Sequence, residues 1–355
     1  MPIVAHTCPF VVGVDTHART HTLVILTGKG EHVDQAQFPS SPAGLRRAVD
    51  WTGRRTGDAP DTLWAVEGIS SYGAALARLA AEAGRLVLEA PRADPRRRHG
   101  IGKSDPLDAR AIATAVLPLD TAKLARPRED HGTRAALRVL VAARDDMTRE
   151  RTSHVNALTA LLRTADLGAD ARKSLTAALI AQIAGWRTRD EPLAVKTARA
   201  EAVRLAKRVT DLGQQLKTNK ADMTRLIRES PAGPLLDKTG IGPVTAAIAL
   251  AAWPHPGRIR PEAAFAALAG VNPIPASSGN TIRRRLNRGG DRQPNWALHM
   301  AVITRMAYDS DTIAYVQRRT AEGRTTREIR RRLKRYLCRH IYRTLNTLHN
   351  TPTAA

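Results

Sequence analysis

Residues 9–39 read PFVVGVDTHARTHTLVILTGKGEHVDQAQFP, and their pattern decides the fold. Val11, Val12 and Val14 form a near-continuous apolar run, as expected of a strand covered on both faces. The segment HTLVILTGKGEHVDQAQF then reads as two antiparallel strands joined around Gly28-Lys29-Gly30. Working outward, SPAGLRRAVDWTGRR predicts a helix with Ser41 as N-cap and Pro42 at its first position. DTLWAVEGIS reads as strand, SYGAALARLAAEAG as a helix ending at Gly84, and RLVLEAPR as a short strand.

Three hairpin-type strands followed by strand, helix and strand resemble the ribonuclease-H architecture, so an α/β domain is expected over residues 1–125. Asp15 closes the first buried strand and Glu67 closes the fourth. An acid ending an apolar strand is unfavourable unless a cation or hydrogen-bond donors meet it. In a sheet of this type the first and fourth strands are neighbours, which would set the two acids side by side.

Residues 102–111, GKSDPLDARA, add two more acids. A phosphate-cradling Walker loop needs a glycine where Arg97 stands, so that reading fails. Asp105 before Pro106 is a good helix N-cap, and Asp108 falls in the first turn, where the helix dipole favours a carboxylate. Their spacing of three also puts both near one face of that turn. Brought against Asp15 and Glu67, they would make four converging carboxylates, which repel one another and call for divalent metal. A pair of Mg²⁺ ions suits such hard oxygen ligands and the oxygens of phosphoryl transfer. His17, beside Asp15, could touch substrate, although a local hydrogen-bonding role is the commoner one for a lone histidine.

Beyond residue 125 the pattern is helical. Residues 126–230 are expected to form long helices, with Leu205, Val209, Leu212, Leu216, Asn219, Met223 and Leu226 at the alternating spacing of a coiled-coil seam. Asn219 would fix the register of a pairing element, and a helical hairpin within one chain is the other reading. Residues 231–349 form a third, basic, Gly-punctuated helical region, and 350–355 a disordered tail. LLDKTGIGPVTAAIALAAW has a helix-hairpin-helix form, in which Gly240 and Gly242 allow a tight turn and the next helix start can meet a phosphate. An ordinary helical corner fits the same residues. FAALAGVNPIPASSGNTIRRRLNRGGD is a polar loop with Ser277, Ser278 and Gly279 at its tip and Arg283, Arg284, Arg285 and Arg288 nearby. Serine beside glycine is a common turn former, but among arginines a hydroxyl is also a candidate nucleophile. The last helix carries an apolar stripe, Ile329, Leu333, Leu337, Ile341 and Leu345, flanked by Arg330, Arg331, Lys334, Arg335 and Arg339. Tyr336 and Tyr342 on it could stack on bases, although packing is the commoner role.

The chain of 355 residues carries 56 Lys and Arg against 33 Asp and Glu, a formal net charge of +23. That excess points to a polyanion partner, since basic surfaces bind phosphate backbones and release counterions. The loop residues Arg96, Arg97, Arg98 and Lys103, with Arg331 and Arg335, are further expected contacts. Two cysteines, Cys8 and Cys338, without a CxxC pair argue against a zinc site or a disulfide framework. No apolar run has membrane length and no signal-peptide pattern is evident, so a cytoplasmic protein is expected.

GVDTH, AVEG and KSDPLDARAIA, in this order and spacing, resemble the DEDD transposases of insertion sequences, the IS-one-ten family, whose N-terminal domain is RuvC-like. The resemblance covers nearly the whole chain, since AGVNPIP…SSG…GGD is similar to the family's transposase domain, with a Ser104 and an extra proline where the family differs. It implies metal ligands at Asp15, Glu67, Asp105 and Asp108, and Ser278 as nucleophile with Ser277 as the fallback. It also implies a composite site joining serine and carboxylates, donor and target DNA as substrates, a structured noncoding guide RNA, and a homo-oligomer, dimer or tetramer. Two other functions stay open on the residues alone: a RuvC-like metal-dependent nuclease of the junction-resolvase type that uses water, and a non-enzymatic nucleic-acid-binding protein.

Overall fold

β1 (Phe10–Thr16) shows how the first domain is assembled. Its even and odd positions face opposite layers, and every residue after Phe10 is buried. Val12 and Val14 pack with Leu45, Trp64, Leu76 and Ala80 in one core, and Val11 packs with Ala109, Ile112 and Val116 in another. This is the both-faces coverage expected of the valine run. The computed structural model describes residues 3–91, 104–121, 124–127, 132–255, 258, 259, 261–281 and 284–350. The chain divides into two compact units, Met1–Arg128 and Glu129–Ala355.

In the first unit β2 (Thr20–Thr27) and β3 (His32–Pro39) continue from β1 as antiparallel neighbours, turning through Gly28 and Gly30. β4 (Leu63–Val66) and β5 (Leu86–Glu89) pair in parallel on the other side of β1, giving the order β3-β2-β1-β4-β5. Two helices cover one face: α2 (Pro42–Thr56), capped by the Ser41 side chain, and α3 (Ala74–Glu82). A four-residue α1 (Val4–Thr7) precedes the sheet. The opposite face is covered by α4 (Asp105–Val116). The result is a mixed α/β sheet domain with the first and fourth strands adjacent, as the ribonuclease-H pattern requires.

The start of α4 differs from expectation. Ser104 occupies the N-cap, with extended backbone, and Asp105 and Pro106 are already helical. Asp108 N–H donates to the Ser104 carbonyl at 3.0 Å, closing the first turn. The Asp105 carboxylate is thereby released from capping its own helix.

The second unit is helical. α5 (Gly132–Thr164) and α7 (Leu193–Arg228) are the long helices, with the short α6 (Ala177–Ala184) between them in sequence. The seam on α7 faces α5 of the same chain: Asn219 Nδ2 donates to the Leu140 carbonyl at 3.0 Å, and Arg144 donates to the Leu216 carbonyl at 3.0 Å. The heptad spacing is thus satisfied by a helical hairpin, the second of the two readings.

A 3₁₀ turn at Gly233–Asp237 leads to α8 (Pro243–Ala252). Pro231 and Pro234 prevent a regular α-helix before the Gly-Ile-Gly turn, so the first helix of a helix-hairpin-helix is reduced to this turn. α9 (Glu262–Leu268), the hairpin of β6 (Pro273–Pro275) and β7 (Arg284–Leu286), α10 (Arg292–Tyr308), α11 (Ser310–Ala321) and α12 (Thr326–Asn350) complete the unit. Trp253, Phe265, Leu298, Leu337 and Ile341 lie in its core. Of the expected tail 350–355, residues 351–355 lie outside the described residues. No described helix is long and apolar enough to cross a membrane.

Candidate active site

The odd positions of β1 end in a polar cluster. Val11, Gly13 and Asp15 share the face under α4, and Gly13 is where the helix crosses. A Cβ there would lie 2.1 Å from the Ala109 carbonyl oxygen and 2.6 Å from Ala113 N. The missing side chain lets α4 rest on the strand, and its N-terminal turn then overhangs Asp15.

Asp15 is only 6% exposed. His17 Nε2 donates to its Oδ2 at 3.1 Å and lies 3.6 Å from Asp105 Oδ1. Gln37 Nε2 bridges from Thr22 Oγ1, at 3.2 Å, to Asp105 Oδ2, at 3.4 Å. Burial pushes the Asp15 carboxyl above its ordinary range; His17 pulls it down, and the charges of Asp108 and Asp105 push it up again. Asp15, His17 and Asp105 each offer a ligand atom, all within 4.8 Å of one another, the one such group among the described residues. This donor set of two carboxylates and an imidazole suits a divalent cation.

Glu67 follows the last residue of β4. The parallel register pairs Val11 with Leu63 and Gly13 with Ala65, so one more step sets Glu67 beside Asp15. Its N–H donates to the Val14 carbonyl at 3.0 Å, and Thr16 Oγ1 donates to its carbonyl at 2.9 Å. The Glu67 side chain is exposed. The structure thus gathers Asp15, Asp105 and Asp108 electrostatically, sets Glu67 at the adjoining strand end, and adds His17. The sequence signal for His17 was its two-residue spacing from Asp15, which keeps both on one strand face.

In the second unit, Ser278 stands at the tip of the β6–β7 hairpin. Ser278 and Thr281 exchange backbone hydrogen bonds of 3.3 and 3.1 Å around Gly279 and Asn280, with Gly279 at φ +54°. Both Ser277 and Ser278 are exposed, as are Arg284, Arg285 and Arg288. The hairpin's legs are held by Asn287, which donates to the Ala267 carbonyl and to Asn272 Oδ1, and by close packing of Gly290 on Gly270.

Gly240 takes φ +81°, and a Cβ would meet the Ala301 carbonyl at 2.6 Å, so its turn packs on α10. Gly242 caps α8. On α12, Arg331 is exposed, whereas Arg335 and Arg339 share Glu262 of α9. Arg335 therefore has a structural partner that its sequence neighbourhood could not reveal. The expected contacts Arg96, Arg97, Arg98, Lys103 and Arg283 lie outside the described residues.

Residues 12–165 match a family described as Transposase, the DEDD type of IS110, and residues 233–317 match one described as Transposase IS116/IS110/IS902 family. A Streptomyces coelicolor protein, "Insertion element IS110 uncharacterized 43.6 kDa protein", is 26% identical over 373 residues, covering 91% of each chain. With the acidic centre under α4, these matches make the chain a DNA-transposing or recombining enzyme. More particularly, its two matched stretches are similar to the two transposase domains of the IS110 family, and a transposase takes DNA as its substrate.

Proposed function

We propose that the chain is an insertion-sequence transposase that cuts and rejoins DNA, with Ser278 as nucleophile and Asp15, Glu67, Asp105 and Asp108 as ligands of divalent metal. The observation that carries this reading is the meeting of Asp15, His17 and Asp105 within 4.8 Å, with Asp108 close enough to perturb Asp15. When bound, a pair of Mg²⁺ ions would neutralise phosphate charge and stabilise the attacking and leaving oxygens of an in-line displacement.

The chain's own groups supply the rest. His17 and Gln37 hold the Asp15 and Asp105 carboxylates in place. Ser278 Oγ attacks a backbone phosphorus, an O–P bond forms, and the bond to the 3′ oxygen breaks as that oxygen takes up a proton. The resulting 5′-phosphoserine retains the phosphodiester, so a 3′-hydroxyl can attack it and return the serine hydroxyl. Arg284, Arg285 and Arg288, with Arg283, hold the phosphate, since a guanidinium binds it in a bidentate fashion. The turn at Gly240 and Gly242 and the basic residues Arg96, Arg97, Arg98, Lys103 and Arg331 track the nucleic-acid backbone. The +23 charge supports a polyanion partner; a structured noncoding guide RNA beside the DNA and assembly as a homo-oligomer complete the proposal.

The test is covalent trapping. Purified protein with copurifying RNA is incubated with DNA bearing the element ends, quenched in denaturant, and resolved for DNA-linked protein. The adduct maps to Ser278 by mass spectrometry, is lost in Ser278→Ala, and survives Ser277→Ala. Strand exchange that persists in Ser278→Ala overturns the serine mechanism in favour of water.

A further inference from the structure

A cleft of about 330 Å³ opens between α10, α11 and α12, away from the Ser278 hairpin in sequence. Its floor is apolar, with Val302 and Leu337. Its walls carry Arg305, Tyr336, Arg339, His340 and Arg343. Arg305 is pinned by Nε donation to the Thr239 carbonyl at 2.8 Å, which fixes its guanidinium against the Gly240 turn. His340 and Arg343 are exposed, and their side chains make no hydrogen bond or ion pair among the described residues. Two acids of the neighbouring elements are already engaged. Glu262 is taken by Arg335 and Arg339, and Asp309 accepts hydrogen bonds from the Thr312 N–H and hydroxyl at the start of α11. Burial, then the charges of Lys238 and Arg305, hold the His340 imidazole below its usual range.

Tyr336 distinguishes this cleft from a plain basic patch. It is 49% exposed and meets Tyr315 edge-on, with centroids 6.2 Å apart at 84°. An edge contact leaves a ring face available for stacking. Arg318 and Arg319 stand over the Tyr315 ring at 5.6 and 5.2 Å, adding positive charge at the rim. Tyr342, by contrast, is spent on packing: its hydroxyl donates to the Ile259 carbonyl at 2.8 Å and its ring lies against Phe265.

We propose that this cleft takes one unpaired nucleotide, its phosphate held by Arg305, His340 and Arg343 and its base stacked on Tyr336. A duplex keeps its base faces inside and presents phosphates alone, so it cannot use the tyrosine; a single strand can use both. The volume lies at the lower end of sites that enclose small ligands. The proposal rests on the nucleic-acid-handling reading above and adds a strand-selective subsite to it.

The experiment compares full-length wild type with Tyr336→Leu and Arg343→Gln, binding fluorescent oligo(dT), oligo(rU) and a mixed-sequence duplex at fixed salt, with far-ultraviolet circular dichroism to confirm folding. Tyr336→Leu is expected to lose about tenfold affinity for single strands, the scale of one stacked base, and less than about threefold for duplex, while Arg343→Gln, a phosphate contact, weakens single strands and duplex alike. Oligo(rU) losing more than oligo(dT) assigns the subsite to RNA, and the reverse to melted DNA; either supports it. Unchanged single-strand affinity in either variant, or a loss on duplex equal to that on single strands in Tyr336→Leu, overturns the subsite while leaving the transposase reading intact. A wild type that binds no nucleic acid overturns both. His340→Gln, also at an exposed position, repeats the test should one variant misfold.

Discussion

Gly13 and Ala109 are in direct apposition: a methyl group on Gly13 would stand 2.1 Å from the Ala109 carbonyl oxygen. That contact seats the N-terminal turn of α4 over the end of β1, and with it Asp105 over Asp15. Gly13→Ala must therefore lift the helix. Overpacking of this kind costs about 1–3 kcal/mol. The expected outcome is a lower melting temperature and weaker Mn²⁺ binding together, read by calorimetry. A variant with wild-type metal affinity contradicts the role given to this crossing.

Asp15→Asn is expected to stabilise the metal-free protein at neutral pH. Burial first, with Asp108 and Asp105, raises the Asp15 carboxyl above its ordinary value against the pull of His17. An acid whose folded pKa lies above its unfolded one contributes stability that is complete below the unfolded value. That stability is lost as pH rises through the folded value. In EDTA near neutrality the asparagine variant should melt higher by about 2–4 °C for each kcal/mol relieved. The gap should close near pH 4, about the unfolded carboxyl's value. An equal or lower melting point at neutrality contradicts the crowding of acids.

Glu262 holds two arginines, Arg335 and Arg339, at side-chain exposures of 20% and 40%. Glu262→Gln leaves both half-buried cations without their anion. The expected loss is about 1–2 kcal/mol, between that of an exposed and a fully buried pair. Denaturant unfolding reads it, and no change in midpoint would show the pair to be incidental.

Asn219→Leu tests the hairpin. Because Asn219 Nδ2 bonds the Leu140 carbonyl within the chain, the substitution should change the unfolding midpoint by about 1 kcal/mol in either direction without altering the assembly's mass. Light scattering after gel filtration reads the mass. A change in oligomer size contradicts the intrachain assignment of the seam.

The contrast between these elements shows what the sequence could carry. The valines of β1, the Gly28–Gly30 turn, Ser41 at the start of α2 and the acids closing β1 and β4 were all legible, because period, cap and turn chemistry are local. The partner of the α7 seam was not, since a heptad stripe states that a helix packs but not on which neighbour. The pairing of Arg335 with Glu262 spans 73 residues, and nothing local marks it. Asp105 was expected to cap α4, but Ser104 occupies the N-cap position, without a side-chain cap, and the Asp105 carboxylate turns to His17 and Gln37. The four acids were read as a set. The structure puts His17 among the closest donors and leaves Glu67 exposed at the adjoining strand end.

Calorimetric titration of Mn²⁺ into the full-length protein, wild type against Asp15→Ala and Asp105→Ala, asks whether the acids beneath α4 hold a divalent cation. Saturable binding to wild type is expected, with a loss of at least about tenfold in each variant, since even residues that only support a metal's ligands are worth about that much. Equal affinity in all three proteins would contradict a metal centre beneath α4.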